Sequence, residues 1–486
     1  MFSKAVRIHT TAIAPSISFA SQHNTRASIK LHRNLTKHTS SANMATGSKV
    51  HLEASQQPQF YVKGLTAESA EKTSQLLQVN HEKHHIFFNR SGFHNHIAHH
   101  LLTLFALNAS PSEIQKGYDT NVSYQRPPEP LKESIMNDMH DPSRFKTYLG
   151  KEKYYHDYLV FFQKEIDAKG WEDVLNEYLF ANDDRANDML CRLYAGFLHP
   201  IIHLGFGIEF QQPAIMAEGL AQTAVHDNWM APLFLGCEKA VESNRGKNTP
   251  KKTIVQLLEE AKNDEKLRSA AHWGDGNKIR EGIMKRAPNE MIKLASQYTV
   301  EEDELEEKTA EMINAAVYYT GAAQHPPHQI KFDFFYMHCV NSSIFFSNFL
   351  SATNAFLTPA TKRRLLEWKV WNDIVMYVSR GCPDLLPSEI HNYTPAHDSD
   401  WSGIIKRVNE LEDDGHASKL IRALAHGEQA CKKYEDNEGF LVKGDMWKKL
   451  GHMAIDSVEA GDPHWVRSCG FEQAWEDIPL REGARL

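Results

Sequence analysis

The stretch NHIAHHLLTLFALNASPSE, residues 95–113, carries the clearest fold signal in the chain. Its apolar residues recur at helical spacing from Asn95 to Leu107, and Asn108 follows as a turn residue. The sequence SPSE at 110–113 then supplies a capping serine, a proline at the first helical position and a glutamate that completes a capping box. The stretch therefore predicts two helices joined by a short turn.

Helical periodicity extends over most of the remaining sequence, whereas strand-like alternation is limited to short pieces such as Gln59 to Lys63. Further helices are predicted over Leu65 to Gln78, Ser143 to Ala168, Trp171 to Leu179, Asp188 to Phe197, Ala214 to Ala231, Thr253 to Ala261, Pro288 to Ser296, Glu301 to Thr320, Phe334 to Leu350, Pro359 to Arg380 and Ser402 to Asp436. No Gly/Ser-rich or Pro-rich linker divides the middle of the chain. We therefore expect an all-α fold, with a single large multi-helical domain over residues 51–486.

The first 50 residues differ in composition from this body. They contain seven Lys and Arg residues and no Asp or Glu, and they are rich in Ser and Thr. This composition is typical of a mitochondrial presequence, so we expect a disordered N-terminal extension that directs import. The alternative is a cytoplasmic protein whose translation starts at Met44, because MATGSKV is an ordinary cytosolic beginning.

The charge of the body excludes some classes of function. Taking the seven basic residues of the extension from the 54 Lys and Arg leaves 47 against 62 Asp and Glu, a net charge of −15. An acidic body argues against binding to nucleic acid or to anionic membranes. The longest apolar run, Phe334 to Leu350, is too polar to span a bilayer. The six scattered cysteines indicate reduced thiols. The sequence does not predict the oligomeric state.

Histidines are the main candidates for chemistry, because 27 of them are present and several cluster in apolar segments. His96 and His100 have the i, i+4 spacing that places two side chains on one helix face. His199 and His203 repeat that spacing, with Pro200 at a predicted helix start. Neutral imidazoles favour Fe, Zn or Cu over Mg or Ca. The two pairs therefore predict a shared metal or catalytic pocket.

Other residues leave two interpretations open. His226 and His338 are compatible with core hydrogen bonding or with lining the pocket. Lys369 is either a snorkelling lysine or a buried base that becomes an oxygen ligand once carboxylated. Glu209 and Glu218 are candidates for orienting a ligating histidine. The histidines in polar or Pro-rich surroundings are expected to be solvated: His84, His85, His325, His328, His391 and His397.

Several motifs in a fixed order carry a family resemblance. They are HNHIAHHLLTLFALNASPSEIQKGYDTN from His94, YQRP at 124–127, HPIIHLGFGIEFQQPAIMAEGLAQTAVH from His199, and the Lys369 to Pro383 region. Over roughly residues 60 to 450 the sequence resembles the questin oxidase-like family of fungal oxygenases. These enzymes are related to those that open anthraquinone rings or perform a Baeyer–Villiger-type step. The resemblance implies a helical enzyme that uses O2 to oxidise and cleave a polycyclic aromatic polyketide.

The absence of familiar cofactor motifs and the family resemblance together limit the choice of cofactor to a metal ion or to none. No flavin, nicotinamide or nucleotide motif is present, so redox work rests on a metal or on the substrate itself. Our hypothesis is a mononuclear Fe(II) site held by the histidine pairs, with His338 and Lys369 closing the shell. The partners are then a small aromatic substrate and O2. A cofactor-free reaction started by a histidine base is the alternative that the resemblance also permits.

Two hypotheses from other classes also remain. The dipeptides His140-Asp141, His226-Asp227 and His397-Asp398 would suit a helical HD-type phosphohydrolase that uses metal ions. A non-catalytic helical binding protein would instead use the histidines as structural residues.

Overall fold

A computed structural model of the chain describes residues 44–246 and 250–482. The predicted presequence lies outside the described residues as far as residue 43. The next residues belong to the packed body, since the Gly47 amide donates to Asp167 Oδ1 at 2.7 Å and the buried Val50 donates to Gln78 Oε1 at 2.9 Å. The predicted domain boundary at residue 50 therefore falls inside the folded unit.

Helices dominate the described residues, and the all-α prediction is confirmed. The first eleven helices are α1 (Ala67–Lys83), α2 (Ile97–Ala106), α3 (Pro111–Val122), α4 (Glu133–Asp138), α5 (Pro142–Tyr148), α6 (Tyr155–Lys169), α7 (Trp171–Leu175), α8 (Asp184–Leu193), α9 (His199–Glu209), α10 (Pro213–Val225) and α11 (Ala231–Asn244). The predicted capping box is present at the start of α3, where Ser110 accepts from the Glu113 amide and Glu113 accepts from the Ser110 amide.

The second half of the body continues in the same way. Its helices are α12 (Ile254–Asn263), α13 (Glu265–Ala270), α14 (Met284–Arg286), α15 (Pro288–Ala295), α16 (Leu305–Ala322), α17 (Phe334–Phe349), α18 (Pro359–Ser379), α19 (Pro387–His391), α20 (Trp401–Glu410), α21 (His416–Cys431) and α22 (Met446–Glu459). Two short strands, β1 (Phe332–Asp333) and β2 (Trp465–Val466), pair in parallel. No described helix has the length and apolar character that a bilayer span requires.

Several of the predicted helices are shorter or divided in the structure. The prediction from Ser143 to Ala168 is broken near Gly150, whose φ of +72° ends α5 and precedes α6. The prediction from Ser402 to Asp436 is broken before Gly415, whose φ is +86°. Positive φ is unfavourable for residues with a Cβ, so glycine is suited to both turns. α10 ends at Val225, six residues before the predicted end at Ala231.

Four helices surround the interior of the protein. α2 packs against α9 and α21, and α17 packs against the same two helices. Every residue of α2 and of α9 is buried, as expected for helices that are apolar on all sides. Buried polar side chains on these helices must therefore find partners among themselves.

The strand pair joins the C-terminal segment to the start of α17. Asp333 Oδ1 accepts hydrogen bonds from the amides of Phe335 and Tyr336, which caps α17. Its other carboxylate oxygen accepts from the amides of Ser468 and Cys469 at 2.6 and 2.9 Å. A single buried carboxylate thus fixes the segment after residue 465 beside this helix. The six cysteines are all buried free thiols, as predicted.

Candidate active site

Four buried imidazole rings face one another where α2, α9, α17 and α21 meet. The Nε2 atoms of His96 and His199 are 2.9 Å apart. His338 Nε2 lies 3.3 Å from that of His199 and 3.2 Å from that of His416. His96, His199 and His416 each offer a ring nitrogen within 4.8 Å of the other two. We refer to His96, His199, His338 and His416 as the four-histidine cluster.

The opposite nitrogen of each ring is held by an acceptor. His199 Nδ1 donates to the Gly196 carbonyl at 2.7 Å, and His338 Nδ1 donates to the Phe334 carbonyl at 2.6 Å. Asp414 serves the other two rings, with Oδ1 at 2.5 Å from His416 Nδ1 and Oδ2 at 3.5 Å from His96 Nδ1. A neutral imidazole that donates through Nδ1 presents a lone pair at Nε2. The Nε2 lone pairs therefore face one another in a series that runs from His96 through His199 and His338 to His416.

Burial keeps these rings neutral. It lowers the pKa of His96 to about 3, with the charges of Lys419 and His416 adding to the effect. Burial also lowers the pKa values of His199, His338 and His416. Burial alone would raise the pKa of Asp414, but the rings of His416 and His96 outweigh it and hold the pKa well below its usual range. An ionised carboxylate thus orients two neutral rings, as in many metal sites.

The distances between the rings suit a single transition-metal ion. Nitrogens bonded to one ion at about 2.0–2.1 Å are separated by about 2.9 Å at a right angle and by about 3.4 Å in a tetrahedron. The three contacts between successive rings, at 2.9, 3.3 and 3.2 Å, fall within that interval, and His96, His199 and His416 offer ring nitrogens within 4.8 Å of one another. An all-imidazole set favours Fe, Zn or Cu.

A strained turn places His199 at the first position of α9. Gly196, Phe197 and Leu198 have φ values of +54°, +54° and +70°. Two of these residues carry a Cβ, so the left-handed conformation costs about 1–2 kcal/mol for each. A Cβ at Gly196 would come within 2.4 Å of the His226 ring. The positive φ and this close approach require glycine at position 196, whose carbonyl holds His199.

A second pair of histidines packs on this cluster. His94 stacks on His199 with ring centroids 3.8 Å apart, and its Nε2 lies 2.8 Å from His226 Nε2. His226 therefore borders the site, which decides between its two predicted roles. The His94 and His226 nitrogens share a hydrogen bond, so both rings support the cluster from one side.

His203 belongs to a separate chain of hydrogen bonds. Its Nδ1 lies 3.1 Å from His99 Nε2, and its Nε2 lies 2.7 Å from Glu218 Oε2. The other oxygen of Glu218 is 2.6 Å from His81 Nδ1. Both ring nitrogens of His203 thus have hydrogen-bond partners. Of the predicted pair, His199 lies in the cluster and His203 lies in this separate series of hydrogen bonds. Glu218 does orient a histidine, whereas Glu209 pairs with Arg422.

Two other predicted site residues lie apart from the four rings. His100 packs against Gly415, where a Cβ would lie 2.6 Å from the His100 Cβ, and its Nε2 is 3.9 Å from Asp413. Lys369 is fully buried and pairs with Asp373 on the next turn of α18. Among residues 44–246 and 250–482, no hydrogen bond or ion pair joins Lys369 to the cluster. One member of each i, i+4 pair, His96 and His199, therefore lies in the cluster, because the neighbouring helices contact one ring of each pair.

One histidine that was expected to be solvated is buried. His85 has no exposed surface, and its Nδ1 accepts a hydrogen bond from the Phe87 amide at 2.9 Å. The prediction for His85 was wrong because Arg126, which is 41 positions away in the sequence, becomes its partner in the fold.

Sequence reasoning missed the contribution of α21. Asp414 lies within the turn sequence DDG at 413–415, and His416 and Lys419 follow it. The long helix predicted from Ser402 to Asp436 included this turn. An Asp-Gly turn directly before a histidine was the available signal, because it places that histidine at a helix start. Lys419 lies one turn further along α21, is 4% exposed, and its Nζ has no hydrogen-bond partner among the described residues.

A pocket of about 330 Å³ opens onto the cluster at His416. Its lining comes from the start of α17, the turn before α21 and the C-terminal segment: Phe334, Asp413, Asp414, His416, Asp462, Pro463, His464, Trp465 and Arg467. The Arg467 guanidinium lies 4.4 Å from the centroid of the Phe334 ring. This volume is within the range for small-molecule sites.

Fold and site together define a helical protein with a buried histidine centre beside a partly aromatic pocket. A family model described as Questin oxidase-like matches residues 93–424, and the chain belongs to this family. A Baeyer–Villiger monooxygenase of Cryptosporiopsis sp. is 40% identical over 88% of this chain and 98% of the relative. A questin oxidase of Aspergillus fumigatus is 37% identical over 90% and 100%, and an oxidoreductase of Aspergillus parasiticus is 38% identical over 90% and 94%.

These relatives confirm the family resemblance of the sequence motifs, and the chain is an oxidoreductase. The phosphohydrolase and the non-catalytic binding protein are not favoured. Of the three HD dipeptides, only His226-Asp227 lies beside the cluster, and the Nε2 atom of its histidine is hydrogen-bonded to His94.

Proposed function

We propose that this protein uses O2 to oxidise and cleave a ring of a polycyclic aromatic, anthraquinone-like polyketide, with non-haem iron in the four-histidine cluster. The observation that carries the proposal is the convergence of Nε2 lone pairs at separations of 2.9–3.3 Å. Nδ1 protons are committed to Gly196, Phe334 and Asp414. Lone pairs that face each other at these separations repel unless a proton or a metal ion lies between them.

Three residues define the minimal ligand set, and a fourth adjoins it. His96, His199 and His416 would hold the ion, and His338 lies within reach as a fourth ligand. When bound, iron supplies electron transfer to O2, which a closed-shell aromatic ring performs slowly by itself. The chain contributes a dry, rigid set of donors, because all four rings are buried and oriented by acceptors.

The pocket suits a flat aromatic substrate. Phe334 and Trp465 offer apolar faces, and the Phe334 ring lies 5.1 Å from the His416 ring. Arg467 offers a cation to a carbonyl or phenol oxygen at the rim. A ring that enters between these side chains reaches the cluster at His416. The names of the relatives point to questin and to Baeyer–Villiger substrates, and we extend that substrate class to this chain.

Oxygen uptake tests the proposal directly. Purified protein is loaded with Fe(II), and O2 consumption and product mass are recorded with questin as the probe. We expect substrate-dependent O2 consumption and a product that has gained oxygen. A chelated, metal-free sample should be inactive and should recover with Fe(II). Full activity of the metal-free sample would contradict the iron-dependent mechanism and favour the cofactor-free reaction. No activity with any anthraquinone would contradict the substrate class.

A further inference from the structure

Lys419 is a buried amine without a partner next to the four-histidine cluster. Its side chain is 4% exposed, and no described residue accepts a hydrogen bond from Nζ. The other nearly buried lysines of the body have partners: Lys362 donates to the Ser351 carbonyl, and Lys331 donates to the carbonyls of Ser457 and Gly461. A buried ammonium without a partner is costly, so such a group indicates a ligand.

The position of Lys419 on α21 directs it toward the cluster. It is three residues after His416, so both side chains lie on one helix face. That helix packs against α2 and α17, which carry His96 and His338. The Lys419 charge also lowers the pKa values of His96, His338 and His416, which agrees with a location among these rings.

The nearby carboxylates do not neutralise Lys419 by direct contact. Asp414 is held by His416 and His96, and Asp413 accepts from the amides of Gly415 and Ala417 at 2.8 Å each. Burial lowers the pKa of Lys419 to about 8, even though Asp414 and Asp413 raise it, so the ammonium form still predominates at neutral pH.

Lys419 therefore lacks an anionic hydrogen-bond acceptor among the described residues. O2 and an uncharged quinone carry no negative charge, whereas an ionised phenol offers an anionic oxygen.

We propose that Lys419 binds the phenolate oxygen of the substrate and keeps the ring ionised beside the cluster. This proposal rests on the proposed function, and it gives Lys419 a role in substrate binding and specificity for that reaction. The phenol loses its proton to bulk water as the anion binds, and Nζ donates a hydrogen bond to the resulting oxygen. The phenolate ring is electron-rich, which is the form that reacts with O2 most readily. The site should therefore select hydroxylated anthraquinones over those without a free phenol.

The test uses light absorption by the bound ligand, since ionisation of a hydroxyanthraquinone shifts its visible band to longer wavelength. Iron-loaded protein is titrated without O2 with 1,8-dihydroxyanthraquinone at a pH where the free probe is neutral. Wild type should show the phenolate band. Lys419→Met should lose the band and bind at least about tenfold more weakly, because a charge-assisted hydrogen bond is removed. Lys419→Arg should keep much of the band.

Lys362→Met is the matched control, because it removes another nearly buried lysine whose partner is the Ser351 carbonyl and not a group of the cluster. It should bind the probe as wild type does. Iron content should be equal in wild type and in the Lys419 variants. Thermal unfolding separates a functional from a structural role: Lys419→Met should raise the Tm of the ligand-free protein, since an unpaired buried charge disappears.

Several results would overturn the proposal. These are a phenolate band and an unchanged Kd in Lys419→Met, loss of iron in that variant, or a lower Tm. If Lys419→Met does not fold, the wild type still decides, because binding of the probe in its neutral form contradicts the role of Lys419. Failure of the proposed function would look different, with no iron uptake or O2 consumption by the wild type.

Discussion

The Nε2 atoms of His96 and His199 lie 2.9 Å apart, although 103 positions separate the two residues in the sequence. Each ring begins a helix, and the Nδ1 atom of each is held by an acceptor, Asp414 in one case and the Gly196 carbonyl in the other. Neither ring can therefore donate to the other without giving up that bond. This contact supports the proposed metal site, in which both Nε2 atoms would bind one ion.

Asp414 should control metal affinity. Asp414→Asn leaves one amide oxygen to serve both His416 and His96, so one ring loses its acceptor and its orientation. We expect metal affinity to fall about 10- to 100-fold, the usual cost of removing such a partner. Competition with a chromogenic chelator measures the change. Asp398→Asn, an exposed position, is the control, and equal affinities in all three proteins would contradict the assigned role.

Asp333 should hold the C-terminal wall of the pocket. Asp333→Ala removes a helix cap, worth about 1 kcal/mol, and leaves two buried amides without an acceptor, at about 1–2 kcal/mol each. We expect a loss of about 3–5 kcal/mol in the free energy of unfolding and faster proteolysis after residue 460. Thr253→Ala removes only a cap, on α12, and should cost about 1 kcal/mol. Similar losses in both variants would argue against the double role of Asp333.

His426 should make the protein sensitive to acid. Burial, with the Arg422 charge, lowers the pKa of His426 to about 3, while the unfolded chain has a value near 6.5. As the pH falls, the unfolded state therefore binds a proton at His426 before the folded state does. The contribution of neutral His426 to stability is complete above pH 6.5 and is lost as the pH falls below that value. Between pH 7 and pH 5, His426 should lower the free energy of unfolding by about 2 kcal/mol.

His426→Gln removes that proton-binding group. Its free energy of unfolding, from urea denaturation, should fall less steeply than that of wild type over the same pH interval. Parallel curves would show that His426 does not take up a proton on unfolding.

Residues 1–50 are proposed to direct import into mitochondria, because seven basic residues and no acids give the composition of a presequence. A fusion of these residues to a fluorescent reporter should localise with a mitochondrial marker. The same fusion with Arg7, Arg26 and Arg33 changed to Gln should remain diffuse. A diffuse signal from the unaltered fusion would instead support a cytoplasmic protein.

Local sequence signals predicted much of the fold and part of the site. The capping box at Ser110 and the helix start near Pro200 were visible because they depend on neighbouring residues. His96 and His199 were selected for a spacing of four, but the fold joins them across two helices and gives their i+4 neighbours other partners. Asp414 and Lys419 could not be assigned, since their roles depend on how α21 packs against α2. The role of the C-terminal wall depends on a strand pair between residues 333 and 466.

The central claim is tested most directly by metal analysis of wild type and three variants, with O2 uptake measured on the same samples. Wild type and His100→Gln should contain iron in stoichiometric amount, because His100 packs beside Gly415 and not in the cluster. His199→Ala and His416→Ala should fold but lose the metal and substrate-dependent O2 uptake. Undiminished O2 uptake by His416→Ala at negligible metal content would contradict the four-histidine metal centre.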